Sequence, residues 1–309
     1  MVDSSPIGIA LGGGSARGWA HLGILNWLRE HHIEPHVICG TSIGALVGGM
    51  EAAGESKRLQ DWVLELQWQD VLSYLDVGLA GGLIRGEKLF DFLKQHFHDR
   101  KIEDLARAYA AVATELGTGQ EIWLRDGSLL DAIRASIAVP GLFTPERPAE
   151  GEEWLVDGGL VNPVPVSLCR ALGARRVIAV DLNTDILERF SGYDAQDVGM
   201  QSTDHATEGR WAANLGVALR ERAQQLRSYL PVAGEELPSM VDVMTQSVYI
   251  MQVRITRSRL AGDPPDALLT PRLGHIRMME FHRGEEAIKE GYRCAEEAAS
   301  ILEALLKRS

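Results

Sequence analysis

A serine flanked by glycines is the first feature of this sequence that could do covalent chemistry. Residues 40–44 read Gly-Thr-Ser-Ile-Gly, so Ser42 lies at the centre of a Gly-x-Ser-x-Gly pattern. Small residues on both sides allow a sharp turn between a strand and a helix, and such a turn exposes the serine hydroxyl as a nucleophile. The same residues also suit a plain helix start, because serine is a favoured N-cap. The pattern by itself leaves both interpretations open.

A serine nucleophile needs a base, and two side chains could supply one. Asp157 precedes Gly158 and Gly159 in "WLVDGG", where an apolar run meets a turn. Burial near apolar residues would raise the pKa of this carboxyl and make it a stronger base, although Asp-Gly is also a common turn signal. His275, in "RLGHIR", is the alternative, and it would follow the serine–acid–histidine order of the α/β-hydrolases. We predict that Asp157 accepts the proton of Ser42 directly.

A glycine-rich loop, "GGGSARG" at 12–18, follows the first predicted strand. It does not fit a nucleotide site, because Arg17 stands where a dinucleotide fingerprint needs glycine and Trp19 stands where a P-loop needs lysine. Glycines can instead turn backbone N–H groups into an open concavity that binds an oxyanion. The predicted oxyanion and substrate-binding residues are Gly13, Gly14, Ser15, Arg17 and Gly18. Arg17 would either orient the loop or contact a head group.

The elements around these motifs predict an α/β fold with parallel strands. The segments "PIGIAL" and "PHVICG" are typical of strands, and each is followed by a loop or turn and then a helix. This alternation places the glycine loop and the elbow glycines, Gly40 and Gly44, at the carboxyl ends of neighbouring strands, where α/β proteins carry their sites. Further strands are predicted in "YAAVATEL", "QEIWLRDG", "EEWLVDGG", "RRVIAVDL" and "DALLTPRL", and further helices at 56–75, 87–98, 239–260 and 279–307. We predict a single domain, 1–309, with an irregular insertion or flap at 185–238.

Composition limits the partners of the chain. It has 309 residues, of which 45% are hydrophobic and 24% charged, and this is enough to bury a sizeable core. The formal net charge of −12 gives no support for nucleic-acid binding or for docking to anionic lipid through a basic surface. The three cysteines, Cys39, Cys169 and Cys294, are too few and too far apart to predict a disulfide framework or a zinc site, so a reducing cytoplasm is expected. No apolar run reaches the ~18 residues that a membrane span needs.

Three motifs in a fixed order give the chain a family resemblance. "GGGSARG", "GTSIG" and "DGG" follow one another, and "SIAVPGLFTP", "VDGGLVNPVPV" and "VIAVDLN" accompany them. Over about residues 7–183 the chain resembles the patatin-like phospholipases, specifically the small bacterial members related to the neuropathy target esterase catalytic domain. The resemblance implies a three-layer α/β/α fold with a mainly parallel central sheet, a glycine oxyanion loop after strand 1, and a nucleophile elbow after strand 2. It also implies a dyad of Ser42 and Asp157, with no metal and no cofactor.

The sequence departs from that family at one position of the loop. Plant members carry a third glycine two residues before the basic residue, and here Ser15 stands at that position. A backbone N–H group survives this exchange, so an oxyanion hole is still expected. The sequence leaves open which two N–H groups form it.

The resemblance implies a hydrolase that acts on acyl esters of lipids, of the phospholipase, lysophospholipase or carboxylesterase type. The expected partner is a lipid or another acyl ester, in the cytoplasm, with contact at the inner membrane and homo-oligomerisation both left open. The apolar segment 62–84 would serve as a lid that faces lipid or as core. Two other classes stay open: an α/β-hydrolase-type thioesterase that uses His275, and a non-catalytic regulatory or partner-binding protein on the same fold.

Overall fold

Strands and helices alternate along the described part of the chain. The computed structural model describes residues 6–74, 87–140, 142–147, 153–186 and 240–307. All of these except 240–246 belong to one compact unit, and 240–246 belong to a second unit of residues 192–246. The insertion predicted at 185–238 lies outside the described residues except for its first two, and the single domain stays a prediction.

The elements carry the following bounds. The strands are β1 (Ile7–Leu11), β2 (Val37–Thr41), β3 (Ala108–Glu115), β4 (Glu121–Leu124), β5 (Leu155–Asp157), β6 (Arg176–Val180) and β7 (Ala267–Leu269). The helices are α1 (Ala20–Glu30), α2 (Ile43–Ala52), α3 (Ser56–Glu65), α4 (Trp68–Tyr74), α5 (Glu87–His96), α6 (Leu129–Ser136), α7 (Val166–Ala171), α8 (Met240–Gly262), α9 (Gly284–Glu297) and α10 (Ala299–Lys307). Short 3-10 turns occupy Ser15–Trp19, Ile102–Asp104, Gly158–Leu160 and Phe281–Arg283.

Seven strands of the described residues form one central sheet. Its order is β4-β3-β2-β1-β6-β7, and β5 pairs with β3 beside this path. The pairs of β1 with β2 and β6, of β2 with β3, and of β6 with β7 are parallel, whereas β4 and β5 run antiparallel to β3. The prediction of a mainly parallel sheet is confirmed, and the carboxyl ends of β1, β2, β3 and β6 lie at one edge of it.

Helices cover both faces of the sheet. Successive side chains of a strand point to opposite faces, and Ile9 and Leu11 of β1 accordingly join one hydrophobic core while Ala10 joins another. Helices α1, α2 and α9 contribute to the first core, and α7 contributes to the second. This is the predicted three-layer α/β/α arrangement, and it explains why every residue of β1 and β2 is buried.

Two helices predicted as continuous are broken. The segment predicted as one helix at 56–75 divides at Leu66, whose ψ of 122° is extended, and the carboxylate of Asp70 accepts the Gln67 N–H to cap the new helix α4. The final helix predicted at 279–307 is instead a 3-10 turn followed by α9 and α10, with a break at Ala298. The amphipathic pattern runs through both breaks, so it did not reveal them.

Candidate active site

Ser42 lies in a strained turn between β2 and α2. Its φ of 57° and ψ of −127° put a residue with a side chain in a region that normally suits glycine, a conformation that costs about 1–3 kcal/mol. Ser42 occupies the N-cap position of α2, but its side chain makes no capping hydrogen bond. The hydroxyl is therefore not used by the helix, and the strand–turn–helix setting is that of a nucleophile elbow.

The glycines on both sides of Ser42 are required by close packing of the backbone. A Cβ atom on Gly40 would lie 2.3 Å from the carbonyl oxygen of Gly44, and one on Gly44 would lie 2.1 Å from that of Leu11. A buried hydroxyl fastens the turn from the other side, because Ser136 Oγ accepts the Ser42 N–H at 2.9 Å. The same hydroxyl donates to a carbonyl of β3 at 2.6 Å.

Strand register brings Asp157 beside Ser42. On β3, Val112 pairs with Thr41 of β2 and the next residue, Ala113, pairs with Asp157 of β5. Strand β4 already occupies the other edge of β3 at these residues, so β5 continues along the edge where β2 ends. The last residue of β5 thus meets the residue that follows β2, which is Ser42. Two motifs 115 positions apart in the sequence become neighbours in this way.

The Asp157 carboxyl is buried and only partly hydrogen-bonded. Oδ1 accepts the Gly159 N–H at 2.6 Å, whereas Oδ2 has no hydrogen-bond partner within the described residues. Burial raises the pKa of Asp157 from 3.8 to about 6, and the nearby Ser42 hydroxyl and the Gly159 N–H oppose this rise. The Ser42 hydroxyl is thus close enough to the carboxylate to oppose the rise in its pKa, although it does not meet the geometry of a full hydrogen bond, as is common in enzymes without substrate.

The glycine loop leaves two N–H groups available beside Ser42. Gly12 and Gly13 donate their N–H groups to carbonyl oxygens of Val180 and Pro163, both at 3.0 Å. The N–H groups of Gly14 and Ser15 donate to no acceptor among the described residues. A Cβ atom on Gly13 would be 3.4 Å from that of Ser42, so the loop passes directly over the elbow.

The backbone at Ser15 has the conformation that suits the glycine of the family pattern. Its φ of 52° lies in the left-handed region, which glycine adopts without strain and serine only at a cost. The residue lines the same cavity as Ser42. The first N–H groups of α2 add the positive end of the helix dipole to this corner.

Arg17 and Gly18 do not line the cavity that Ser42 lines. Arg17 is buried and donates to the carbonyl of Ile276 at 3.1 Å and to Asn183 Oδ1 at 2.9 Å, with its guanidinium over the Tyr249 ring at 4.7 Å. Of the two roles expected for this side chain, loop orientation fits and contact with a head group does not. Gly18 serves packing, since a Cβ atom there would lie 2.2 Å from Ile43.

The described histidines lie away from the cavity that Ser42 lines. His275 Nε2 lies 2.6 Å from Glu286 Oε1 at the surface, and no histidine is among the described residues that line the cavity. His21 contacts the glycine loop instead: its Nε2 lies 2.8 Å from the carbonyl oxygen of Gly12, so it helps to hold the loop in place. Burial lowers the pKa of His21 to about 4, against the effect of the Gly12 hydrogen bond, and keeps the ring neutral.

An apolar cavity of about 760 Å³, open space at its mouth included, begins at Ser42. Its other lining residues are Ser15, Trp19, Ile43, Leu46, Trp62, Leu66, Val71, Tyr74, Leu89, Ile137, Val139, Leu142, Phe143 and Phe281. Part of the apolar segment 62–84 therefore lines this cavity, while Trp68 of the same segment is 46% exposed. Residues 75–84 lie outside the described part of the chain.

Three polar residues of the site were not foreseen. Ser136 holds the elbow, and Asn183 and Gln252 are buried together behind the glycine loop. Asn183 follows the carboxyl end of β6, and that position was a usable signal because sites of α/β proteins collect at this edge. Gln252 lies within α8, and nothing in its sequence context distinguishes it.

Comparison with known proteins adds the family. A family model described as patatin-like phospholipase matches residues 9–170. The chain belongs to the patatin-like phospholipase family. An uncharacterized NTE family protein of Mycobacterium tuberculosis is 33% identical over 340 residues, which cover 97% of this chain and 93% of that protein. The family and the relation to neuropathy target esterase predicted from three motifs are therefore confirmed.

More distant similarities extend to larger proteins. Patatin-like phospholipase domain-containing protein 7 of Mus musculus is 27% identical over 299 residues, which cover 95% of this chain and 20% of the mouse protein. Among solved structures, VipD from Legionella pneumophila matches 98% of this chain and 67% of its own, with a TM-score of 0.44 and 15% identity. Membership of the patatin-like phospholipases gives the chain the patatin fold and indicates lipid acyl hydrolase activity. Within the described residues, no helix combines the length and apolar character that crossing a bilayer demands.

Proposed function

We propose that Ser42 and Asp157 form a catalytic dyad that hydrolyses acyl esters of lipids. The observation that carries the proposal is that a serine hydroxyl which makes no helix-capping bond, held in a strained elbow, meets a buried carboxylate. Among the described residues, the second oxygen of this carboxylate has no hydrogen-bond partner. A carboxyl with a pKa of about 6 is mostly ionised at neutral pH and is a better proton acceptor than an exposed aspartate. No imidazole is needed for the transfer.

The reaction proceeds in two steps. Ser42 Oγ attacks the ester carbonyl while its proton passes to Asp157, and the N–H groups of Gly14 and Ser15 stabilise the tetrahedral oxyanion. Asp157 then returns the proton to the leaving alcohol or lysolipid, and an acyl-enzyme remains. Asp157 then takes a proton from water as the water oxygen attacks the acyl carbonyl, the bond from Ser42 Oγ to the acyl carbon breaks, and Asp157 returns the proton to Ser42 Oγ as the fatty acid leaves. The two glycine-loop donors are proposed because their N–H groups alone, among Gly12 to Ser15, are not already engaged.

The cavity supports a long, apolar acyl group as the substrate part next to the scissile bond. Apart from Ser15 and Ser42 its lining is aliphatic and aromatic, and burial of a methylene in such surroundings stabilises a bound chain by about 0.8 kcal/mol. A cytoplasmic location stays a prediction.

Covalent labelling with an alkyl fluorophosphonate tests the dyad. The proposal expects a single adduct at Ser42, located by mass spectrometry of proteolytic peptides. A folded wild-type protein that never reacts would favour the alternative of a non-catalytic protein with a silent site.

Replacement of His275 separates the dyad from a histidine-dependent mechanism. We expect His275→Ala to label and to hydrolyse within about twofold of the wild type, because loss of an exposed polar contact with Glu286 costs about 1 kcal/mol of stability or less and touches no reacting atom. Loss of labelling in a His275→Ala protein that melts like the wild type would support the thioesterase alternative instead.

Cavity length should set acyl preference, and Leu46 tests this. It lines the cavity one helical turn beyond Ser42 on α2. We expect Leu46→Trp to lower kcat/KM for p-nitrophenyl decanoate by about tenfold or more, because the indole fills space that the chain needs, and to change that for p-nitrophenyl acetate little. Leu64→Trp is the matched control, since Leu64 is 45% exposed and does not line the cavity. Equal losses with both esters would argue against an acyl site here.

A further inference from the structure

The amide of Asn183 is fixed at a point where it can control the oxyanion loop. Asn183 is 1% exposed, and its Oδ1 accepts a hydrogen bond from Arg17 Nη2 at 2.9 Å. A guanidinium can only donate, so this contact settles which end of the amide is oxygen. Nδ2 must then face the other side, where it donates to the carbonyl oxygen of Gly13 at 3.1 Å and to Gln252 Oε1 at 3.2 Å.

The carbonyl that Asn183 holds shares a peptide bond with a free N–H group. The Gly13 carbonyl and the Gly14 N–H belong to one planar unit, and in a trans peptide they point in opposite directions. A donor that anchors the carbonyl therefore also sets the direction of the N–H. A hydrogen bond to the carbonyl further polarises the peptide, which makes its N–H a stronger donor.

The neighbouring peptide is held by a backbone contact instead. The Gly14 carbonyl accepts the Arg17 N–H at 3.2 Å, and this peptide carries the Ser15 N–H. The two free N–H groups are thus held in different ways. The 3-10 turn fixes the peptide of the Ser15 N–H, and the side chain of Asn183, which follows the carboxyl end of β6, fixes that of the Gly14 N–H. Glycine at 13 and 14 has little conformational preference of its own, so the Gly14 N–H depends on that side chain.

We propose that Asn183 is a positioning residue that aims and polarises the Gly14 N–H toward the oxyanion, with Arg17 as the group that orients its amide. The inference rests on the proposed function, because it assigns a support to one of the donors proposed there. Asn183 touches no substrate atom in this role. Its contribution is made in the transition state, where negative charge develops, and not in binding of the acyl chain.

The variants Asn183→Asp and Asn183→Ala test the role. Aspartate keeps the acceptor for Arg17, and an ion pair with it, but replaces the donor to Gly13 by an oxygen. Alanine removes all three hydrogen bonds of the side chain without adding charge, and it covers the case in which the aspartate variant does not fold. We expect each to lower kcat by about 10- to 100-fold with KM within about threefold, since loss of one direct oxyanion donor costs 10²–10³ in kcat. Thr184→Ala is the control in the same loop: the Thr184 hydroxyl donates to Asp181 Oδ2, so its loss should leave kcat within about twofold of the wild type.

Inhibitor binding distinguishes positioning from general damage. Ser42 Oγ adds to the boron of decylboronic acid, its proton passes to Asp157, and a tetrahedral anion forms. The affinity of the Asn183 variants for this inhibitor should therefore fall by a factor similar to that in kcat. Decanol, which occupies the cavity without forming an anion, should bind as to the wild type. Circular dichroism and melting temperature identify which variants are folded.

The possible results separate the role of Asn183 from the proposed function. Folded Asn183 variants with kcat within twofold of the wild type, or with decanol and boronic acid weakened equally, would overturn the role of Asn183 alone. A wild type that neither hydrolyses esters nor binds the boronic acid would overturn the proposed function, and the role of Asn183 with it.

Discussion

A Ser42→Ala protein should hydrolyse acyl esters at least about 10³-fold more slowly than the wild type, because removal of a nucleophile that acts as a unit with its base leaves only the oxyanion hole and binding. The same variant should lose the fluorophosphonate adduct. Its cavity should still bind decanol, since Leu46, Trp62 and the rest of the apolar lining are unchanged. Hydrolysis at the wild-type rate by purified Ser42→Ala would refute the dyad outright.

Glycine at the same position separates catalysis from backbone strain. Ser42→Gly should be as inactive as Ser42→Ala, but it relieves a φ of 57° that any other residue must sustain. The relief of about 1–3 kcal/mol exceeds the backbone entropy that glycine adds to the unfolded chain, about 0.5–1 kcal/mol. We therefore expect Ser42→Gly to unfold at higher urea than Ser42→Ala, by about 1 kcal/mol in the free energy of unfolding. An alanine variant as stable as the glycine variant would show that the elbow stores no strain.

The alternation of strand and helix made the site partly predictable. Ser42 and the glycine loop follow consecutive parallel strands, so the rule that parallel strands share a carboxyl edge places them together. The glycines that let the backbone pack closely here, Gly40 and Gly44, could also be predicted from the Gly-x-Ser-x-Gly motif. Their contacts depend on backbone atoms a few residues away or on the adjacent strand.

The other contacts of the site depend on strand pairing between distant segments, which the sequence does not reveal. Asp157 reaches Ser42 because β5 is antiparallel and extends the edge of β3 that β2 leaves unpaired. No local pattern encodes that register. Asn183 and Ser136 act on backbone groups far away in sequence, and a polar residue near apolar ones does not reveal its acceptor. The availability of the Gly14 and Ser15 N–H groups likewise depends on carbonyls of β6 and of the turn after β5 that engage Gly12 and Gly13.

Asp157→Asn should be nearly inactive and yet more stable than the wild type above neutral pH. Asparagine keeps an oxygen for the Gly159 N–H but cannot accept the Ser42 proton, so we expect kcat to fall by about 10³-fold or more. In the wild type, kcat/KM should rise with pH through about 6 and then level off, because the carboxyl must be ionised to act as base. A profile with its midpoint near 4 would mean that Asp157 is not buried as described or is not the base.

The stability of the two proteins should diverge in the same pH range. The Asp157 carboxyl keeps its proton up to about pH 6 in the folded state but loses it near 3.8 when unfolded. The unfolded wild type therefore binds fewer protons between these values, and its free energy of unfolding falls as pH rises through them. A pKa difference of this size corresponds to about 3 kcal/mol.

Urea unfolding of both proteins between pH 4.5 and 8 measures this divergence directly, because all other titrating groups cancel in the comparison. Asp157→Asn should gain most of the ~3 kcal/mol at pH 8, and its advantage should shrink toward zero as pH approaches 4. An advantage that does not change with pH would place its cause outside the charge on Asp157. A stability lower than that of the wild type at pH 8 would mean that the carboxylate is stabilised in the fold. The cost of burying an ionised carboxylate would then no longer account for the raised pKa of Asp157.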